Sequence, residues 1–353
     1  MSISGINPIR AAIVGCGEHS HVHGEAASKL AASKFKEIKI TACCDIAEDR
    51  ARSWAEKYGC ESYYTDIAVM LAKEELDAVI LCTWPGQHLE QIKSCLDAGV
   101  KNILCEKSLT VSGDEAHTIL KLVGEQKAFI MEACKNRHHP AMRKMEQLAL
   151  KGENGPIDSI RAIFNNYEPE DENLPHGQRN WRERKECGGG VAYDWVSYLV
   201  NACNHFSGGK PVRVFASGDT GEISGVINRI HGMIEYDNGV VGYVESSKKS
   251  SFSQELQITC ARGTLRLPVA WGIFGDVKIT RTHRKEPWDY ILTDTYEVEH
   301  IDAFYLQLKN FAEVIHGKAE PVMPLEQSVM NIQTIDALVK SLEQKQIVYD
   351  IIK

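Results

Sequence analysis

The stretch RAAIVGCGEHSHVH, residues 10–23, decides the fold. A run of small and branched apolar residues, Ala11 to Val14, stops at Gly15, and a helical pattern begins by Ser20. Such a run, without polar alternation, reads as a strand buried on both faces. Gly15 and Gly17, on either side of Cys16, permit a tight turn and a close approach of backbone to a pyrophosphate. The N-terminus of the next helix then stabilises the anion. Glu18 and His19 lie in the turn, and Ser20 takes its third small position. A second strand, residues 39–44, ends at Asp45. A carboxylate there can accept hydrogen bonds from the 2′- and 3′-hydroxyls of a ribose and repels a 2′-phosphate. Ile46, not arginine, follows it, which favours NAD over NADP; Arg50 keeps NADP as the alternative.

Working outward, the rhythm repeats. Further strands are expected at residues 77–82, 102–105 and 128–133, with helices at 20–33, 47–58 and 112–126 and another running to about 98. Gly59 stands where a helix-ending glycine belongs. Strand alternating with helix means a parallel sheet covered on both faces. After about residue 135 the pattern changes. A helix at 140–151 and a strand at 157–167 precede a polar, aperiodic stretch, 168–187. Gly188-Gly189-Gly190 opens a helix to about 206, strands with alternating apolar residues fill 211–282, and helices at 301–316 and 325–343 close the chain. The expected fold class is α/β: a Rossmann dinucleotide-binding domain, residues 1–135, plus an α+β domain, 136–353, with a large open, mostly antiparallel sheet.

Composition narrows the function classes. The 353 residues are 43% apolar and 25% charged, as in an ordinary soluble globular protein. Forty basic against 48 acidic residues give a net charge of −8, which argues against a general nucleic-acid or anionic-membrane binder. No apolar run reaches the ~18 residues of a membrane span, and the N-terminus lacks a secretory pattern. The 11 cysteines are odd in number, form no CxxC and sit mostly in apolar runs. They read as buried free thiols in a reducing compartment, and the expected location is the cytoplasm. Cys16, Cys44, Cys82 and Cys105 all flank the expected nucleotide site. No metal site is expected. His19 and His23 would share a helix face, but no carboxylate or cysteine pair in the sequence obviously completes a tetrahedral site. His138-His139 is discounted in the same way.

Six segments together resemble the glucose–fructose oxidoreductase/inositol dehydrogenase (Gfo/Idh/MocA) family over nearly the whole chain. They are GCGEHSHVH with Ser20 and His23; Asp77 to Thr83 with His88 five residues on; Leu104-Cys105-Glu106-Lys107, similar to an E-K-P motif with Ser108 in place of proline; Asn136 to Pro140; Asn180-Trp181-Arg182; and Gly188-Gly189-Gly190 with Asp194. The resemblance implies an NAD(P)-dependent oxidoreductase acting on a CH–OH group of a sugar, sugar nucleotide, cyclitol or related ring. It implies cofactor contacts at Gly15, Gly17, Glu18, His19, Asp45, Ile46, Thr83, Trp84, His88, Glu106, Lys107, Trp181 and Arg182, and substrate contacts at Lys107, Arg137, Asp194 and Tyr198. It also implies a homodimer or homotetramer built through the open sheet. Two positions depart from the common pattern: Tyr198 stands where histidine is frequent, and Asn201 where aspartate is. Some members, such as glucose–fructose oxidoreductase and dimeric dihydrodiol dehydrogenase, are similar in carrying tyrosine.

Oxidising an alcohol needs a group that takes the hydroxyl proton as hydride leaves carbon. Asp194, Tyr198 and Asn201, at i, i+4 and i+7, would share one helix face. A tyrosine with a pKa near ~10 is too weak a base at neutral pH, unless a nearby ammonium favours its phenolate. Lys107 is the expected ammonium, carried to the C-terminal edge of the sheet, where ligands bind in such folds. Tyr198 is then the acid/base, Lys107 polarises the reacting oxygen, and Asp194 orients a hydroxyl or Lys107. A second assignment makes Lys107 itself the proton carrier. The polar stretch 168–187 reads as a substrate cover or a plain surface loop. Two other functions stay open at this stage: a non-catalytic nucleotide-binding regulator of the same fold, and an enzyme that keeps and recycles a tightly bound NAD.

Overall fold

The computed structural model describes residues 8–352 except positions 34, 36, 151, 153, 171–174, 176–179, 274 and 287. Positions 171–174 and 176–179 of the possible cover, 168–187, therefore lie outside the described residues. The chain forms two compact units. The first comprises the residues up to Thr110, Asp114–His138 and Asp302–Glu326; the second comprises Val111–Gly113, His139–Ile301 and Gln327–Lys353.

The first unit is built on six parallel strands: β1 (Ile9–Val14), β2 (Ile38–Cys44), β3 (Ser62–Tyr64), β4 (Ala78–Leu81), β5 (Asn102–Glu106) and β6 (Phe129–Ala133), in the order β3-β2-β1-β4-β5-β6. The four residues of β4 are buried without alternation, as a strand covered on both faces requires. The interposed helices are α1 (Ser20–Ala32), α2 (Glu48–Tyr58), α3 (Ile67–Lys73), α4 (His88–Asp97) and α5 (Gly113–Gln126). Gly59 ends α2 at φ 70° and returns its N–H to the Ala55 carbonyl, 2.8 Å away, as expected of that glycine. Strand order reverses between β1 and β4, so the loops after these two strands lie side by side and open a crevice. The sequence reading did not foresee β3. Its three residues, Ser62-Tyr63-Tyr64, are too few to show a period, and they lie at the sheet edge.

A late segment completes this unit. Helix α8 (Ala303–Ile315) places Leu308, Phe311 and Ala312, with Met323 beyond it, in one core with Ile9, Leu30, Trp54 and Met131. The compact unit is not continuous in sequence: apart from Val111–Gly113 it runs to His138, and the chain returns to it at Asp302. The reason is an apolar helix face that the sheet and α1 bury.

The second unit holds α6 (Pro140–Leu150), α7 (Val196–Ser207), α9 (Leu325–Gln344) and nine strands: β7 (Ile157–Asn165), β8 (Pro211–Thr220), β9 (Ile227–Tyr236), β10 (Val241–Ser247), β11 (Ser253–Cys260), β12 (Gly263–Pro268), β13 (Val277–His283), β14 (Leu292–Val298) and β15 (Val348–Tyr349). They form one sheet in the order β14-β13-β12-β11-β7-β10-β9-β8-β15. Among the described residues of this sheet, only β7 and β10 pair in parallel; the other pairs are antiparallel. On β9, Asn228, Ile230 and Ile234 are buried while Arg229 and His231 are exposed, the alternation of a strand with one wet face. Helix α7 starts later than the triple glycine suggests. Gly190 N–H donates to the Arg182 carbonyl at 2.7 Å and Val191 N–H to the Ile227 carbonyl at 2.7 Å, so residues 188–195 form turns tied to other segments. Asp194 thus precedes the helix that carries Tyr198 and Asn201, and the three do not share one continuous helix face.

Candidate active site

At the crevice of the first unit, Gly15 has φ 89°, and a Cβ there would lie 2.9 Å from both the carbonyl carbon and oxygen of Cys82. Only glycine allows this turn to pack so close to the exit of β4. A Cβ at Gly17, by contrast, would meet nothing within 4 Å. The backbone beside Gly17 is therefore open on the side a pyrophosphate would take, which fits a dinucleotide. Asp45 binds this turn to the next loop. Its Oδ2 accepts the Cys16 N–H and its Oδ1 the Ala47 N–H, each at 2.8 Å. Each carboxylate oxygen keeps a second lone pair for a ribose hydroxyl. Ile46 beside it is 84% exposed, as a residue flanking an adenosine would be. Thr83 turns its hydroxyl to the Gln91 side chain at 2.6 Å; Trp84 leads into a short 3₁₀ turn before α4.

At the end of β5, buried Glu106 gathers two histidines. Its Oε1 lies 2.8 Å from His23 Nε2 and 3.2 Å from His19 Nε2, and its Oε2 accepts the Lys107 N–H at 3.1 Å. Burial alone would raise this carboxyl's pKa, but the charges and hydrogen bonds of His19 and His23 hold it well below the usual range. Glu18, like His19, is exposed at the turn. Lys107 follows Glu106, half-buried, and its peptide bond to Ser108 is cis.

Three findings were not anticipated. His88, expected among the cofactor contacts, is buried with Nδ1 3.0 Å from the Ser108 carbonyl and 3.1 Å from that of Leu109; its Nε2 is 3.1 Å from the Thr83 carbonyl. Burial lowers its pKa, and its ring nitrogens brace the backbone of Thr83, Ser108 and Leu109. Arg137, expected at the substrate, is only 4% exposed and its guanidinium donates to the Val322 carbonyl at 3.3 Å. It ties the α8 segment to its own unit. Lys135, which the sequence reading passed over, carries its ammonium 4.9 Å from the Phe304 ring centroid. Burial and the charge of Lys107 lower its pKa. Its signal was available: β5 and β6 are neighbours, so a lysine just past β6 emerges at the same sheet edge as Lys107.

In the second unit, Asp194 is buried and pairs with Arg182, Nε to Oδ2 at 2.6 Å. The Arg182 guanidinium also sits 4.7 Å from the Trp181 ring centroid. Desolvation works against the Arg182 charge, yet Asp194 first, then Glu168 and Tyr198, raise its pKa. Tyr198 is half-buried in an aromatic stack, with Phe164 at 6.1 Å and Trp271 at 6.3 Å between centroids. Asn201, one turn on, is buried. The structure thus unites Trp181, Arg182, Asp194 and Tyr198 in one unit, and Gly15, Gly17, Asp45, His19, Glu106 and Lys107 in the other.

Two family models match the chain: an oxidoreductase family with an NAD-binding Rossmann fold over residues 9–134, and a GFO/IDH/MocA C-terminal domain over residues 142–266. The chain belongs to the Gfo/Idh/MocA oxidoreductase family. Among curated Gfo/Idh/MocA relatives, D-xylose 1-dehydrogenase (NADP(+)) 2 of Haloferax volcanii is 28% identical over 316 residues, covering 90% of this chain and 93% of its own. The trans-1,2-dihydrobenzene-1,2-diol dehydrogenase of Mus musculus is 24% identical, covering 95% and 97%. A 3-ketoreductase from Actinomadura kijaniata, solved with NADP and TDP-benzene, shares the fold at TM-score 0.82 and 22% identity, covering 95% of this chain and 98% of its own. As a Gfo/Idh/MocA protein, the chain is an NAD(P)-dependent oxidoreductase with a Rossmann unit and a mostly antiparallel second unit.

Proposed function

We propose that this enzyme moves a hydride between a nicotinamide and a hydroxyl-bearing ring carbon of a sugar, sugar nucleotide or cyclitol. The observation that carries the reading is Lys107, held at the C-terminal end of β5 by Glu106, in a Gfo/Idh/MocA chain with an open glycine turn. The dinucleotide supplies or takes the hydride at C4 of its nicotinamide. Gly15, Gly17, Glu18 and His19 would hold its pyrophosphate, Asp45 and Ile46 its adenosine ribose, and Thr83, Trp84 and Glu106 the approach to the nicotinamide. Lys107 polarises the reacting oxygen by its positive charge. Tyr198 gives or takes the hydroxyl proton. Asp194, fixed by Arg182, orients a substrate hydroxyl, and Trp181 packs beside that arginine. Asp45 favours NAD, because its carboxylate repels a 2′-phosphate.

The relatives' named substrates support a polyhydroxylated or ring alcohol: D-xylose, a trans-dihydrodiol and, for an inositol 2-dehydrogenase from Rhizobium meliloti, inositol. We also place the enzyme in the cytoplasm, on its 11 free cysteines, and assign it a homodimer or homotetramer built on the uncovered sheet face. Among the described residues, no helix is long and apolar enough to cross a membrane.

The test is turnover of a sugar and cyclitol panel with NAD and NADP, wild type beside Lys107→Ala. A fall in kcat of about 10²-fold or more, with dinucleotide still bound, is expected from losing a group that acts in proton transfer. Equal turnover would remove Lys107 from the mechanism. Dinucleotide binding without turnover of any ligand would favour a regulator.

A further inference from the structure

Glu106 meets His19 and His23 from 83 or more positions along the chain, and the ligand-type atoms of the three lie within 4.8 Å of one another. Two imidazole nitrogens converge on a single carboxylate oxygen, Oε1 of Glu106. The rings are held from behind: the Phe304 ring meets His19 edge-on at 5.6 Å and His23 at 5.8 Å. The carboxylate is held as well, since its other oxygen accepts the Lys107 N–H. Such outer contacts orient first ligands in metal sites. Access is provided on one side only, because His23 and Glu106 are buried while the His19 side chain is 50% exposed.

We propose that His19, His23 and Glu106 bind a divalent transition-metal cation of the zinc class, and that cation and dinucleotide exclude each other. Two histidines and one carboxylate are the donors of a three-ligand zinc site, with a fourth position left to water on the exposed side of His19. Imidazole donors select zinc, cobalt or nickel over magnesium and calcium, which prefer oxygen. Lys107 and Lys135 lie near enough to act electrostatically on each other, and Lys135 on Glu106. Their charges oppose any divalent cation alike and weaken its binding, so the choice among metals rests on the donor atoms. The exclusion follows from position. His19 lies in the turn after Gly17, and Glu106 adjoins Lys107, so a cation here would occupy the ground on which the dinucleotide rests. That second half depends on the functional reading above; cation binding alone does not.

The experiment uses full-length protein freed of metal by chelator dialysis and titrated with Co²⁺. One equivalent per chain with the visible bands of a four-coordinate site, displaced by Zn²⁺ and not by Mg²⁺, is expected. His19→Ala should weaken binding at least about tenfold, the scale seen even for outer contacts of metal ligands. His19→Phe, which keeps a ring against Phe304 but no donor nitrogen, should do the same while unfolding at the wild-type temperature. Absence of bands, or bands unchanged in both variants, overturns the site. NAD binding is then followed by fluorescence with and without Zn²⁺. Weaker NAD binding in the zinc-loaded wild type supports exclusion, and unchanged affinity overturns it. Failure of the metal-free protein to bind any dinucleotide would instead overturn the functional reading and leave the Co²⁺ result standing.

Discussion

At the scale of single residues, the second unit's site turns on one ion pair. Asp194 is buried, so losing Arg182 removes a charged partner where bulk water cannot replace it, while Arg182 is 39% exposed and screened by solvent. A charge-assisted bond of this kind contributes about 1.5–3 kcal/mol when buried; exposure of the arginine places Asp194→Asn toward the low end, about 1–2 kcal/mol. Urea unfolding of Asp194→Asn, Arg182→Leu and the double variant measures it. The double variant should lose less than the sum of the singles, and full additivity would show that the pair is not coupled. The sequence marked Arg182 and Asp194 separately, as cofactor and catalytic residues, but not as partners, because a contact across a turn has no period to read. Glu106 was likewise marked without its histidines. What motifs expose is residue type at a sheet edge; they do not expose which polar groups the fold consumes internally, as it does His88 and Arg137.

Elements were legible where they were long and periodic. β1, β2, β4, β5 and β6 with α1, α2, α4 and α5 follow the apolar rhythm closely; β3 and the seven-residue α3 were not read, and α7 began after turns that only tertiary hydrogen bonds explain. Helix α8 was read as a helix, and its start has a clear physical cause. Asp302 accepts the Phe304 N–H at 3.0 Å and the Tyr305 N–H at 3.3 Å, and pairs with Lys29 of α1. Burial would raise its pKa, but the Lys29 bond and the two helix N–H groups hold it below the ordinary aspartate value. Asp302→Ala should cost about 1 kcal/mol at neutral pH, the usual worth of an N-cap. Because the folded-state pKa is depressed, that contribution is complete above the unfolded value and disappears as pH falls through the folded one. The gap between wild type and variant in urea unfolding should therefore close in acid. A gap that persists there would assign the effect to packing rather than to the charged cap.

At the scale of the whole molecule, the two-domain order was legible, while the return of residues 302–326 to the first unit was not. Phe311 packs into a core with residues from the start of the chain, and no local pattern records so distant a partner. The mostly antiparallel sheet was also legible, because alternation on β8, β9 and β10 leaves one face exposed among the described residues. In register across that face stand Phe215, Met233 and Tyr243, with Phe215 42% and Tyr243 45% exposed. The ion pairs Arg213–Glu235, Arg161–Glu245 and Arg266–Glu255 flank this row. An apolar row inside a polar surround is the composition that the proposed subunit interface would need. A second copy related by two-fold symmetry would set the same row against itself. Sedimentation equilibrium should then give a dimer or tetramer for the wild type. Phe215→Lys with Tyr243→Lys places like charges opposite one another in that arrangement and should yield monomers whose urea midpoint, at low concentration, matches that of dissociated wild type. A wild type that sediments as a monomer at every concentration would refute the assembly, and variants that stay associated would move the interface to another face.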